Sequence, residues 1–450
     1  MSFELKPDYL ESLEDDIQNG KLEAHLESIE DMHPADIAEI VDQLSLDSGK
    51  QLVQEIDEEK AAEVLVELDE DLRAKILLEY TGMEIAHELV ENLDSDDAAD
   101  LINELSDEKR REVLNNIEDP GQAKDIADLL IYPENTAGAL MGKELIKVNK
   151  NWKVMQCVKE MRQQAENIEH VHSIYVVDDH NMLLGTLSLK KLLTTSLKTP
   201  IAEVFNHKLQ SVEAAADAED VANTMQKYDL VVMPVVDALG HLLGRITIDD
   251  VVDVIREEAK EDYNLASGLT DEVESDDNIW TITKARLPWL LIGLFGGIMA
   301  ASVIGRFEGA LSALPKMAFF IPLIAAMGGN VGVQSSAIVV QALASKAVMG
   351  NVGNRLLKEI GVALVNGLIC GILIIGAGLF LGYEVRLCMT VAISLLAVII
   401  VAALVGTFVP LILNRYKIDP ALATGPFITT MNDILGLFIY FTIGYALLDI

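Results

Sequence analysis

Cysteine is nearly missing from this chain: three in 450 residues, Cys157, Cys370 and Cys388. They are too scattered for a disulfide framework or a CxxC metal site, so packing is their expected role. Basic residues are short across a whole half. Residues 1–280 hold 24 Lys and Arg against 65 Asp and Glu, a net of −41. Such an acidic half speaks against nucleic acid as a partner, because phosphate recognition needs positive charge. It suits cations instead, although excess carboxylate also serves plain solubility. The N-terminus, MSFELKPDYLESLEDD, lacks the basic start and apolar core of a signal peptide. No nucleophile–histidine pairing, phosphate loop or catalytic carboxylate dyad is present, so an enzyme is not expected. His33, His172, His207 and the other histidines are scattered and read as surface residues.

Beyond residue 280 the chain has the opposite character. Residues 281–450 hold 10 basic against 6 acidic residues, a net of +4, which with −41 gives the chain's −37. Apolar runs recur near 288–305, 317–345, 359–382, 387–413 and 423–448. Each is near or above the ~17–25 residues a helix needs to cross a bilayer. Five spans are expected, the second open to being broken. Lys284, Arg286, Lys346, Arg355, Lys358, Arg415 and Lys417 fall on the side of the acidic half; only Arg306, Lys316 and Arg386 fall opposite. Basic loops stay in the cytoplasm, which places the acidic half in the cytosol and the C-terminus outside. The last span, GPFITTMNDILGLFIYFTIGYALL, carries one acid, Asp433, well inside it. A charged Asp at mid-membrane costs ~2.5–3.5 kcal/mol on insertion scales. With Thr429, Thr430 and Asn432 close by, this helix is expected to turn one polar face toward water or a partner. Asn330 and Gln334 in GGNVGVQSS are expected to hydrogen-bond between helices rather than to bind metal.

The acidic half is built from repeats. Over residues 33–118 an apolar residue recurs about every 12 positions: Leu44, Ile56, Leu68, Tyr80, Leu93, Leu105 and Ile117. Segments such as KAAEVLVEL and DDAADLINEL read as short amphipathic helices between acidic turns, which argues for a small helical solenoid. A second repeat is more specific. SIYVVDDHNMLLGTLSLKKLL and VMPVVDALGHLLGRITIDDVVDVI superpose with a shift of 59, pairing Val177–Asp178 with Val236–Asp237 and Gly185 with Gly244. Each reads strand, polar turn, strand, helix, behind an amphipathic helix at 154–164 or 218–228. The pattern resembles a tandem pair of cystathionine-β-synthase (CBS) domains, which are regulatory modules rather than enzymes. Such pairs often bind adenosine nucleotides through the Thr and Asp of a GxxTxxD motif. The second copy supplies Thr247 and Asp250; the first offers Ser188 followed by lysines. The resemblance therefore implies one site for ATP or another adenosine nucleotide.

Acids are densest just beyond. TIDDVVDVIREEAKEDY is expected to continue the last CBS helix toward the membrane. On a helix, Asp250, Asp253, Glu257 and Glu261 share a face, with Glu258 and Asp262 on its flank. Like charges at that spacing repel unless something neutralises them. Asp96 and Asp100 form another i, i+4 pair, and Glu63 lies on a preceding helix. Taken singly, each acid reads most simply as solvated surface. Facing one another across a domain interface, they form a divalent-cation site, because Mg²⁺ takes hard oxygen ligands and keeps several waters.

Over essentially its whole length the chain resembles the MgtE family of magnesium channels. PLIAAMGGNVGVQSSAIVVQAL and DPALATGPFITTMNDILGLFIYF carry the resemblance most strongly. It implies a multidomain fold: an all-α superhelical N domain (1–130), an α+β tandem CBS pair (131–255, about 137–200 and 201–255), a connecting helix (256–283) and an α-helical membrane domain of five transmembrane helices (284–450). It implies a homodimer in membrane lipid, with the pore between the two membrane domains and Asp433 binding Mg²⁺ there. It also implies regulatory Mg²⁺ at Glu63, Asp96, Asp100, Asp217, Asp229, Asp250, Asp253, Glu258, Glu261, Asp262 and Asp419. High cytosolic Mg²⁺ would then bridge the N domain, the CBS pair and the connecting helices and hold the gate shut. Two rival readings are a transporter of another divalent cation such as Co²⁺ or Mn²⁺, and a membrane-tethered sensor that transports nothing. Asp433 argues against the sensor, since an unpaired acid in hydrocarbon has a cost and no benefit.

Overall fold

The computed structural model describes residues 7–168, 170–270, 273, 278–344, 352–423 and 425–448. The N-terminal six residues, the acids at 271, 272, 274, 276 and 277, and Lys346 lie outside the described residues. The chain divides into two compact units, 1–255 and 256–450.

The first unit opens with short helices: α1 (Pro7–Gln18), α2 (Glu23–Glu30), α3 (Pro34–Gln43), α4 (Leu46–Glu55), α5 (Glu58–Glu67), α6 (Glu70–Leu77), α7 (Gly82–Glu84), α8 (Ser95–Asn103), α9 (Asp107–Asn116) and α10 (Pro120–Leu129). The acidic turns between them are helix starts. Asp69, Ser106 and Asp119 accept hydrogen bonds from the backbone N–H groups of Asp71, Lys109 and Gly121, satisfying donors that a helix N-terminus leaves open. All seven periodic residues are buried. Leu44, Ile56, Leu68 and Ile117 each cap the C-terminus of a helix, so the period is one helix plus its turn. From Tyr80 to Leu93 the interval is one residue longer than the rest. That stretch holds a π-helix, Ile85–Leu89, the form in which a helix absorbs a single extra residue.

Two like-built modules come next. The first holds β1 (Ile146–Asn149), α11 (Val154–Gln164), β2 (Ile174–Val177), β3 (Leu183–Leu187) and α12 (Leu189–Thr194). The second holds β4 (Val212–Glu213), α13 (Ala218–Tyr228), β5 (Val232–Val236) and β6 (Leu242–Thr247). In each, the first strand runs parallel and the third antiparallel to the middle one. The shift of 59 survives in the pairing: Gly185 faces Val176, and Gly244 faces Val235. The two hairpin turns pair with each other, the Leu183 N–H donating to Gly240 O and the Leu242 N–H to Asn181 O, both at 3.0 Å.

The last helix of the pair, α14 (Ile248–Ser267), is one uninterrupted element, about 30 Å long at 1.5 Å per residue. It runs through the division between the units. The expected single connecting helix over 256–283 is therefore corrected. Gly268, at φ +81, ends α14, and the first membrane helix, α15 (Ile279–Arg306), is already under way by 283. Asn278 caps α15 by accepting from the Trp280 and Thr281 N–H groups. Hydropathy places this start at 288 because Lys284 and Arg286 interrupt the apolar run, although both lie within the helix.

The second unit continues with α16 (Glu308–Ala313), α17 (Ile321–Ala344), α18 (Val352–Phe380), α19 (Val385–Arg415) and α20 (Pro426–Leu448). Among the described residues five helices are long and apolar enough to cross a membrane: α15, α17 with its 3₁₀ lead-in from Pro315, α18, α19 and α20. The second span is not broken; its irregularity precedes it, at Pro315–Phe320. The helix α19 packs on α17, α18 and α20. Glycines let the backbones approach, the usual means of association where lipid removes the hydrophobic drive.

Candidate functional site

Where α8 begins, three carboxylates converge. Asp94, Asp96 and Glu144 each place one oxygen within 4.8 Å of the others. The arrangement is built, not incidental. Glu144 accepts from the Ser95 N–H at 3.1 Å and from Ser95 Oγ at 3.0 Å, while Ser95 Oγ accepts from the Lys143 N–H at 2.9 Å. Asp96, 7% exposed, reaches this point only because position 142 is glycine. A Cβ there would lie 2.6 Å from Asp96 Oδ2. One cation closes the group: Arg245 donates to Glu144 O at 2.5 Å and pairs with Asp94 Oδ2 at 3.2 Å.

The electrostatics extend the pocket to α14. Burial, then Asp250, Asp97, Glu144 and Asp94, push the Asp96 carboxyl well above the carboxylate range. Asp97 is pushed up to about 7 by burial, with Asp250, Asp94, Asp100 and Asp249 adding to it. Asp250 rises to about 6, chiefly by burial, against the hydrogen bonds from Thr247. Burial and Asp94 raise Glu144, opposed by its bonds from Ser95. Half-desolvated carboxylates that raise one another's affinity for protons will equally favour a hard divalent cation.

Of the acids singled out in the sequence, the structure gathers Asp96 and Asp250 here, with Asp100 exposed at the edge. Glu63 sits half-buried on α5. Asp217 caps α13, accepting from the Glu219 N–H at 3.0 Å, and Asp229 ends the same helix in the left-handed region at φ 51. Asp253 is exposed on α14, and beyond the division Glu258 is half-buried while Glu261 and Asp262 are exposed. Asp419 accepts from the Ala421 N–H at 2.7 Å. Thr247 donates from N and Oγ1 to Asp250 Oδ2, at 3.1 and 2.6 Å; the pair expected to hold a ribose hold each other. Asp94, Asp97, Glu144 and Arg245 were not anticipated. Glu144 is a lone acid in GKELIK, and no spacing links it to α8.

In the membrane unit, Asp433 lies half-buried on α20, its Oδ1 3.6 Å from where a Cβ on Gly329 would sit. The expected single polar face is not formed. Thr430 packs its methyl on Gly296 of α15. Asn432, 1% exposed, lies against Gly328 and Gly332 of α17 with neither amide atom hydrogen-bonded among the described residues. Thr429 alone stays with Asp433, one turn away on the same side; its hydroxyl donates to Gly425 O at 3.0 Å. Asn330 and Gln334 are exposed on α17 and make no interhelical hydrogen bond among the described residues, since the small residues of that helix face inward. A second acid, Glu359 of α18, accepts from Ser335 Oγ at 2.5 Å. It was passed over because Arg355 and Lys358 make its neighbourhood read as membrane interface. At the start of α20, Gly425 takes φ +59, and Ala266 O lies 2.6 Å from where its Cβ would be. The C-terminal end of α14 thus packs on the turn that opens α20.

These features define a multi-span membrane protein whose acidic half is a helical-repeat domain joined to a CBS pair. Residues 321–443 match the family described as "Divalent cation transporter", residues 32–135 the "MgtE intracellular N domain", and residues 137–198 and 201–257 the CBS domain. A curated relative from Enterococcus faecalis, Magnesium transporter MgtE, is 37% identical over 324 residues, 72% of this chain and 71% of its own. Another of that name, from Thermus thermophilus, is 36% identical over 334 residues, 74% of each chain. A solved structure, the cytosolic domain of the Mg²⁺ channel MgtE in complex with ATP, superposes with a TM-score of 0.51 at 33% identity, covering 54% of this chain and 99% of that one. The chain belongs to the MgtE family.

Proposed function

We propose that this chain is a Mg²⁺ channel of the cell membrane that closes when cytosolic Mg²⁺ is high. The carrying observation is the convergence of Asp94, Asp96 and Glu144, which brings acids of the N domain and of the first CBS module within reach of one ion. The relatives' name, Magnesium transporter, supports Mg²⁺ as the cargo. At low Mg²⁺ the buried acids repel one another and the N domain loosens from the CBS pair. Bound Mg²⁺ offsets that repulsion and shifts the population to the closed form. Glu63, Asp100, Asp217, Asp229, Asp250, Asp253, Glu258, Glu261, Asp262 and Asp419 are the further regulatory positions of this reading. The contact of Ala266 with Gly425 supports a direct route from α14 to the pore helix.

The pore belongs to a homodimer, in which a two-fold axis brings two copies of Asp433 face to face across a partly hydrated ion. The N-terminal domains lie in the cytosol and the C-terminus outside. ATP in the relative's structure supports a nucleotide as a second ligand of the CBS pair. Binding one at Thr247 and Asp250 here would require their mutual hydrogen bonds to open.

Mg²⁺ uptake into liposomes holding the purified protein tests the reading, with and without a membrane potential. Uptake driven by the potential alone, and suppressed by Mg²⁺ on the cytosolic face, is expected. No uptake would leave a sensor in its place; uptake indifferent to cytosolic-face Mg²⁺ would remove the gating.

A further inference from the structure

The one irregular interval in the N domain borders a cavity of about 250 Å³ lined by Glu58, Glu79, Tyr80, Glu84 and Glu88. Its position is set by the sequence. Tyr80 occupies the place that Leu or Ile holds in every other repeat, and the extra residue after it forms the π-helix Ile85–Leu89 that carries Glu88. Single π turns of this kind recur at functional sites. Two of the four carboxylates are engaged: Glu79 pairs with Lys50 at 2.8 Å, and Glu84 accepts from the Thr81 N–H at 2.7 Å. Glu58 and Glu88 have no side-chain hydrogen bond or ion pair among the described residues. Neither has the hydroxyl of Tyr80, although the residue is only 7% exposed. That hydroxyl faces the acids, for Glu88 and Glu84 help burial push it to about 12. The side chain lines the cavity, so its hydroxyl is placed to bond an occupant, or a water of the occupant's shell.

We propose that this cavity is a cation site lying wholly within the N domain, distinct from the pocket at Asp94, Asp96 and Glu144, and that it takes a divalent cation with its inner waters retained. Size and spacing support the hydrated form. An ion with six waters needs about 180 Å³ at ~30 Å³ per water. The carboxylates here do not converge as tightly as those of the first pocket, which suits contact through water, the habit of Mg²⁺. Glu58 and Glu88 supply the charge, and Tyr80 orients a water of the ion's shell. Bound there, the cation would tie the start of α5 to the π-helix and stiffen the middle of the solenoid.

Hydrogen exchange on the full chain in lipid nanodiscs, with and without MgCl₂, tests this. Mg²⁺ should slow exchange over residues 79–89 in the wild type and in Asp96→Asn, but not in a Glu58→Gln, Glu88→Gln double variant. Tyr80→Phe, which keeps the ring and its packing, should weaken the effect by about 10-fold in Mg²⁺ concentration. Mn²⁺ counted by spin resonance should fall by one ion per chain in the double variant. Equal protection of 79–89 in the double variant and the wild type would overturn the site. So would its loss in Asp96→Asn, which would make the signal a relay from the first pocket.

Discussion

The two halves of this chain use acid in opposite ways. The first 280 residues hold 65 carboxylates and gather several into one buried pocket; the last 170 hold 6 and set one, Asp433, alone on a membrane helix. In the pocket, repulsion is already present within one chain, so a cation bound there would act on an energy stored in the fold. In the membrane, no second acid crowds Asp433 among the described residues of its own chain. Its meaning depends on what faces it, which is why the proposed two-fold pore matters there and not in the pocket. On the proposed reading, crowding makes a sensor and isolation makes a passage.

The largest expected effect lies on the isolated side. Asp433→Asn should abolish Mg²⁺ uptake in liposomes while leaving the thermal midpoint close to wild type; near-normal uptake would end the pore assignment. Next comes the crowded side. A triple variant, Asp96→Asn, Asp97→Asn and Asp250→Asn, should flatten the response of transport to cytosolic Mg²⁺ at both ends of its range, because it removes the repulsion along with the ligands. A wild-type response would remove these buried acids from the proposed gating. Gly332→Val should cost ~1–3 kcal/mol or more by overpacking, since its Cβ would lie 1.8 Å from Asn432 Nδ2. Melting followed by a probe in the membrane unit should register it, and an unchanged midpoint would contradict the packing.

Smaller still is a pH effect. Asp97 at about 7 and Asp250 at about 6 hold protons in the fold that the unfolded chain has released. Between the unfolded value near 4 and these folded values the native state binds more protons, so without divalent metal the cytosolic unit should lose stability as pH rises from 5 to 8. Melts in EDTA should show this slope, and saturating Mg²⁺ should shrink it. A rising slope in EDTA would refute the burial of these acids. Glu261→Gln alone, at an exposed position, should stay within about ±0.5 kcal/mol; a larger shift would mean that Glu261 too is crowded.

The sequence carried the architecture because periodicity survives in a linear string. Leu44 through Ile117 mark the helix ends, and the shift of 59 marks the paired hairpins. Long apolar runs mark the spans. It singled out Asp96, Asp250 and Asp433 because a motif or an anomalous setting marks them. It could not carry Glu144 or Arg245, whose partners come from distant segments through a glycine at 142 that leaves room for a carboxylate. Nor could it tell that Asn432 turns inward while Asp433, one residue on, does not. That depends on which side of α20 meets Gly328 and Gly332, a fact of packing rather than of pattern.

Arg245 has a consequence of its own. Its guanidinium pairs with Asp94 inside the acid group, so the pocket begins from partial neutrality and an incoming ion answers only the charge left over. Under the proposed function this arginine is the set point of a controller. Arg245→Gln should move the Mg²⁺ midpoint of closure to lower concentration, and a midpoint unmoved or raised would deny it that role. On that reading a concentration threshold is fixed in covalent form, one side chain against several, and could be retuned by substitution without touching the proposed pore.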